Sequence, residues 1–134
     1  MKILSLVLFI MFSSYSNQSK NIPKLTIKFV DFNIETLIKV DNDSFERYFK
    51  NQYRTLIVTK PDEIKKILDM VLNLKKNNSD KNTPNVRLKM EIEFDGNVNV
   101  ICMDYSRISL NRLSVYNSKR LRKELSKLLC YKLY

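Results

Sequence analysis

The chain has no histidine, no tryptophan and no alanine, and it contains a single glycine among 134 residues. Without histidine it lacks the commonest general base, and neither a Ser-His nor a Cys-His nucleophile pair can form. One glycine excludes the glycine-rich loops that hold phosphates in P-loop and dinucleotide-binding proteins. These absences predict a protein that is not an enzyme and that uses no cofactor.

The acidic residues form no clear catalytic pair or metal site that could replace the missing histidine. Glu91 and Glu93 share one face of a predicted strand with Arg87 and Lys89, which is typical of a solvated face and not of an acid–base pair. The acidic run at residues 41–43 lacks the glycine and the bidentate glutamate of a calcium loop, so helix capping explains it better. Two cysteines without a histidine do not predict a metal site.

A short leader predicts export. Residues 1–16 begin with a positive charge at Lys2, continue with an apolar run, and end in small residues that fit signal-peptidase cleavage near Ser16. The apolar run has about ten residues, too few to span a bilayer as a helix. The alternatives are a buried first strand or an uncleaved anchor. We predict a signal peptide over residues 1–16, one mature domain over residues 17–134, and a periplasmic or secreted location.

Cys102 and Cys130 are the two cysteines, and both lie in the predicted mature domain. In an oxidising compartment they could form a disulfide that contributes about 2–4 kcal/mol. Two buried free thiols that pack as small hydrophobic side chains are the alternative.

The clearest structural pattern is a β-hairpin over residues 86–105. Apolar side chains alternate with charged ones from Val86 to Phe94, which predicts a strand with one buried face. Asp95 and Gly96 then predict a tight turn, because glycine accepts the positive φ that such turns need.

Two registers of this hairpin are open. A two-residue turn would pair Phe94 with Asn97, whereas a three-residue loop would pair Glu93 with Asn97. The first register would bury Ile101, Met103 and Tyr105. The second would bury Val98, Val100 and Cys102. We favour the second, because it keeps Asn97 off the core face of Phe94. Cys102 would then face the helices, where a bridge to Cys130 is geometrically possible.

Apolar periodicity predicts the remaining elements. Further strands are expected at residues 24–32, 53–59, 107–110 and 113–116, with 53–59 apolar enough to be central in the sheet. Helices are expected at residues 43–51, 61–75 and 119–130, and a polar loop at 77–85. Residues 34–40 could be a hairpin partner of the first strand or its continuation past a bulge. The pattern predicts an α+β fold, with a mostly antiparallel sheet of about five to six strands and two main helices on one face.

The formal charge of +10 first suggests a polyanion as the partner, although part of it follows from a composition typical of AT-rich genomes. Nucleic-acid binding is not predicted, because no aromatic ring accompanies the basic residues of the open strand face. The densest basic surface is the last helix. Its candidate anion-binding residues are Lys119, Arg120, Arg122, Lys123 and Lys127. They could contact acidic lipid or a polyanion, or simply face water.

Three short motifs follow one another in the second half: R-x-K-x-x-I at residues 87–92, I-C-x-D at 101–104 and I-x-L-N at 108–111. With the turn at Gly96, their order resembles a group of small exported bacterial proteins of unknown function. The resemblance covers about Tyr53 to Leu129. It implies export and an α+β fold, and it carries no activity.

These patterns predict an exported binding or accessory protein, of which a secreted inhibitor or effector is the nearest variant. The expected partner is an unidentified protein held against the open sheet face. The alternative is a basic module that binds an anionic surface through the last helix, and any membrane contact is expected to be peripheral.

Overall fold

The computed structural model describes residues 22–133, in which six strands form one antiparallel sheet accompanied by three helices. The strands are β1 (Lys24–Phe29), β2 (Arg54–Val58), β3 (Leu88–Phe94), β4 (Asn97–Met103), β5 (Ile108–Leu110) and β6 (Leu113–Val115). The helices are α1 (Phe45–Phe49), which runs into a 3₁₀ turn (Lys50–Gln52), α2 (Pro61–Leu72) and α3 (Lys119–Leu129). The α+β prediction is confirmed. The predicted signal peptide lies outside the described residues.

One face of the sheet packs against α2 and α3. Pro61 begins α2 where its missing N–H costs nothing, and the Ser118 hydroxyl caps α3 by accepting a hydrogen bond from the Leu121 amide at 3.2 Å. The core residues of this face include Leu25, Ile27, Met90, Ile92, Ile101, Ile108, Ile64, Ile67, Leu121 and Leu125. Each such side chain contributes about 1.5–3 kcal/mol when fully buried. Two main helices on one face were the expected arrangement, and the structure confirms it.

The strand order is β2-β1-β3-β4-β5-β6, and every neighbouring pair is antiparallel. The prediction that residues 53–59 form a central strand is wrong, because β2 is an edge strand. Of its three consecutive apolar residues, Val58 is buried, Leu56 is half-buried, and Ile57 is 56% exposed on the other face. An apolar run in a short strand therefore did not mean burial on both faces.

The hairpin between β3 and β4 has a two-residue turn, with Phe94 paired to Asn97. Both turn residues have positive φ, 51° and 74°, which is the type I′ geometry that matches the twist of the flanking strands. The favoured three-residue loop is wrong. The reason for preferring that loop does not hold, because Phe94 is itself 45% exposed at the end of the sheet. Asn97 therefore shares no buried surface with Phe94. In the observed register Cys102 faces away from α2 and α3, and Tyr105 lies exposed beyond the strand.

Residues 34–40 form a loop, so both interpretations of this segment as a strand are wrong. Its backbone bonds to the segment before β3: the Val86 amide donates to the Val40 carbonyl at 2.8 Å, and the Val40 amide donates to Asn85 Oδ1 at 2.8 Å. With α1, the loop covers one end of the second sheet face. A second buried cluster fills the space beneath, formed by Val30, Val40, Phe45, Phe49, Val86 and Cys102.

Candidate binding surface

The second sheet face is divided into a half covered by α1 and a half that stays open. We call the open part the open half-face; it consists of Lys24, Thr26, Ile57, Glu91, Glu93 and Val98. Ile57 lies opposite Thr26, and Thr26 lies opposite Glu91, so these residues form a row across three strands. Glu93 lies between Lys24 and Val98 in the next row. Ile57 and Val98 are 56% and 54% exposed, which gives this mixed-charge surface two apolar points.

The open half-face ends at an unpaired strand edge. β2 pairs with β1 over five residues, and no other described residue makes a backbone hydrogen bond to its outer side. The opposite edge of the sheet is protected, because residues 75–77 run along β6. There the Asn77 amide donates to the Ser114 carbonyl and the Tyr116 amide donates to the Lys75 carbonyl, both at 2.9 Å. Only the β2 edge of the described sheet can accept a further strand.

The covered half holds a charge network that fixes α1 to the sheet. Glu46 Oε1 accepts hydrogen bonds from Lys28 Nζ at 3.0 Å and from Lys89 Nζ at 2.9 Å. Burial alone would raise the pKa of Glu46, but the hydrogen bonds from Lys89 and Lys28 outweigh it, so the pKa lies below its usual value. Burial likewise disfavours the charged form of Lys89, but contact with Glu46 raises its pKa overall. Lys89 therefore does not belong to a solvated face, contrary to the alternating pattern.

A small hollow of about 140 Å³ lies in the covered half, and Cys102 and Ser109 are among the residues that line it. The Cys102 thiol contacts Asn42 Oδ1 at 3.6 Å, and burial raises the pKa of this thiol to about 12. A thiol with such a pKa stays protonated near neutral pH and is a poor nucleophile. The rim of the hollow carries an ion pair of 2.9 Å between Arg112 and Asp43.

The structure does not bring the two cysteines together. Cys102 is buried beneath α1, whereas Cys130 is exposed at the C-terminal end of α3, which packs on the opposite sheet face, and both are free thiols. The sheet lies between the two sulfur atoms. The favoured register had suggested otherwise, because it turned Cys102 toward the helices.

The predicted basic patch on α3 is only partly assembled. Lys119, Arg120 and Lys123 are exposed, and none forms an ion pair with a described carboxylate. Lys127 is exposed but pairs with Glu124 at 3.1 Å. The structure thus leaves three of the five predicted residues as unpaired cations near the first turns of the helix.

Arg122 is removed from this patch by burial. Its guanidinium donates to the carbonyl oxygens of Asp104 at 2.7 Å and Arg107 at 3.2 Å, and to Asn117 Oδ1 at 2.6 Å. Burial lowers the pKa of Arg122, and these acceptors compensate for the lost hydration. The sequence does contain a hint, because Arg122 precedes the buried Leu125 by one helical turn and so lies on the apolar side.

A second buried arginine holds the loop of residues 34–40, which we call the braced loop. Arg87 donates from Nε to the Ile34 carbonyl at 3.0 Å and from Nη2 to Thr36 Oγ1 at 3.2 Å. From Nη1 it also reaches the carbonyl oxygens of the chain just before it, those of Asn85 and Val86. At the apex of the braced loop, Leu37 is completely exposed and Ile38 is 62% exposed. Sequence patterns missed this site, because the segment has the composition of a strand.

Residues 22–133 contain no group of three or more Cys, Asp or Glu side chains placed to hold a metal ion. In the same part of the chain, no helix has the length and apolar character needed to cross a membrane.

Comparison with models of known protein families gives no match, and comparisons with curated proteins and with solved structures give none either. The resemblance of residues 53–129 to small exported bacterial proteins therefore stays a prediction.

Proposed function

We propose that this protein is an exported binding module without catalytic activity, and that it receives an extended segment of a partner protein along β2. The observation that carries the proposal is the unpaired edge of β2 beside the exposed side chain of Ile57. Adding a strand to such an edge supplies main-chain hydrogen bonds, while the adjoining side chains select the sequence.

The open half-face would supply that selection. An added strand extends the row of Ile57 and Thr26, so one of its side chains would pack directly against Ile57. Val98 offers a second apolar contact further across the sheet, and Lys24, Glu91 and Glu93 offer charges of both signs. A partner with an apolar side chain flanked by polar ones fits this surface best.

The absence of catalysis is supported by the chemistry of the available groups. The chain has no histidine, and the buried Cys102 thiol has a pKa of about 12. The carboxylate of Glu46 is occupied by two lysines. Export is supported by the leader pattern of residues 1–16 and places the module in the cell envelope or outside the cell.

Affinity capture with matched variants tests the proposal. Tagged native protein, Ile57→Lys and Leu72→Lys would be exposed to envelope and culture fractions of the source cells, and captured proteins quantified by mass spectrometry. Leu72 is an exposed leucine on α2 and serves as the control. We expect native protein and Leu72→Lys to capture the same partner in similar amounts. Ile57→Lys should capture at least tenfold less of it, because a charge beside the edge blocks strand addition. Equal capture by Ile57→Lys would refute the proposal.

A second candidate function rests on the unpaired cations of α3. Lys119, Arg120 and Lys123 lie near the helix N-terminus, where the helix dipole is already positive, so the site attracts anions. A salt titration separates the two functions. Binding that collapses between low and moderate ionic strength favours the basic module, whereas salt-tolerant binding favours strand addition.

A further inference from the structure

The end of the sheet that carries the braced loop also carries the turn between β4 and β5, residues 104–107. Two shallow hollows flank this turn, of about 430 Å³ and about 410 Å³. The charged residues that line the first are Lys39 and Arg107. Those that line the second are Lys119, Arg122 and Lys123. No carboxylate lines either hollow, whereas the hollow at Cys102 includes Asp41 and Asp43.

Apolar side chains project from the same end. Leu37 and Ile38 form the apex of the braced loop, and Tyr105 is exposed on the neighbouring turn. Leu37 and Ile38 also line the first hollow, and Leu37 protrudes fully into solvent at its rim. Because Arg87 fixes the backbone beneath the apex, burying these side chains would require little additional ordering of the loop.

We propose that this end of the molecule docks on an anionic phospholipid surface. Leu37 and Ile38 would enter the boundary between headgroups and acyl chains, and the exposed cations Lys39, Lys119 and Lys123 would lie at the headgroup phosphates. A bilayer accepts a protruding apolar apex without a complementary pocket, and the absence of carboxylates from both hollows matches its negative charge. Three carboxylates oppose this attraction: Glu35 of the braced loop, Asp104 of the turn, and Asp80, which pairs with Arg107 at 3.5 Å. Lys39, Lys119 and Lys123 form no ion pair with a described carboxylate, and they carry the attraction.

This inference goes beyond the proposed strand addition, because it uses different residues. The strands run away from the docked end, so β2 and the open half-face remain accessible to a partner. The molecule would be held at the membrane by one end while it binds a protein along one edge.

Sedimentation with vesicles tests the docking. Native protein in 0.1 M salt should bind vesicles that contain phosphatidylglycerol at least tenfold more strongly than vesicles of phosphatidylcholine alone. Leu37→Ala and Ile38→Ala should each weaken that binding about tenfold, whereas Leu113→Ala, at a 53% exposed leucine of the edge strand β6, should not. Lys123→Gln should weaken it about fivefold, whereas Lys24→Gln, at the end of the sheet opposite the braced loop, should leave it unchanged.

Insertion itself can be observed, because the chain has no tryptophan. Leu37→Trp should show a blue-shifted emission on phosphatidylglycerol vesicles, and Leu113→Trp should not. The Ile57→Lys variant should bind vesicles like the native protein, so failure of strand addition and failure of docking are distinguishable.

Three outcomes would overturn the proposal. The first is equal or absent binding to the two kinds of vesicle. The second is loss of binding with Lys123→Gln while Leu37→Ala binds normally, which would indicate attraction through α3 alone. The third is a native protein that ignores vesicles while Leu37→Ala loses a captured protein, which would assign the apex to a protein partner. Circular dichroism of each variant verifies that the fold is retained.

Discussion

Replacing the buried Arg87 with methionine should destabilise the domain by about 3 kcal/mol. Methionine fills much of the same space but donates no hydrogen bonds, so the carbonyl oxygens of Ile34, Asn85 and Val86 lose a charged donor. Each buried acceptor left unsatisfied costs about 1–3 kcal/mol. Part of this loss is offset because a guanidinium no longer has to be desolvated, the same burial that lowers the pKa of Arg87.

Urea unfolding followed by far-ultraviolet circular dichroism measures this effect. With a slope of about 1–3 kcal/mol per molar urea, the midpoint should fall by about 1–3 M without a change in slope. Hydrogen exchange should accelerate at residues 34–40, since Arg87 braces that loop. Arg112→Met is the matched control, because its ion pair with Asp43 is solvent-exposed and worth at most about 1 kcal/mol. If the two variants were equally stable, the loop would not depend on Arg87.

Further predictions concern the thiols, the charge network and the hairpin turn. Iodoacetamide at pH 8 should modify Cys130 alone in the folded protein and Cys102 only after unfolding, with intact mass as the readout. Glu46→Gln should lower the free energy of unfolding by about 1 kcal/mol above pH 4.5, the ordinary pKa of a glutamate. Because the pKa of Glu46 is lowered by folding, that difference should shrink as the pH falls through the folded pKa, which urea midpoints at several pH values would show. Gly96→Ala should cost about 1 kcal/mol through its positive φ of 74°, visible as a lower melting temperature, and Gly96→Asn should cost less.

The local periodicity of apolar residues was sufficient to predict much of the fold. The alternation in residues 88–94 and the apolar stripes of α2 and α3 are repeated patterns over many residues, and the structure confirms all three elements. The location of the turn at Gly96 followed from the conformational freedom of one residue type. Such features depend on neighbours in the sequence and are therefore visible in it.

The features that sequence reasoning missed depend on contacts between distant segments. β2 is an edge strand because β1 takes the inner position, and nothing within residues 54–58 encodes that order. Arg87 and Arg122 look like surface charges until the loops whose carbonyl oxygens they bind are in place. The hairpin register was misjudged because the exposure of Phe94 follows from its position at the end of the sheet. An open sheet face that bears Glu91 and Glu93 was expected from the sequence, but which part of it α1 covers was not.

Hydrogen exchange on the complex with a captured partner tests strand addition most directly. Partner binding should slow exchange of the β2 amides at residues 54–58, with smaller protection at the neighbouring Thr26, while α3 stays as in the free protein. Protection confined to residues 119–123, with β2 exchanging as it does alone, would contradict the account.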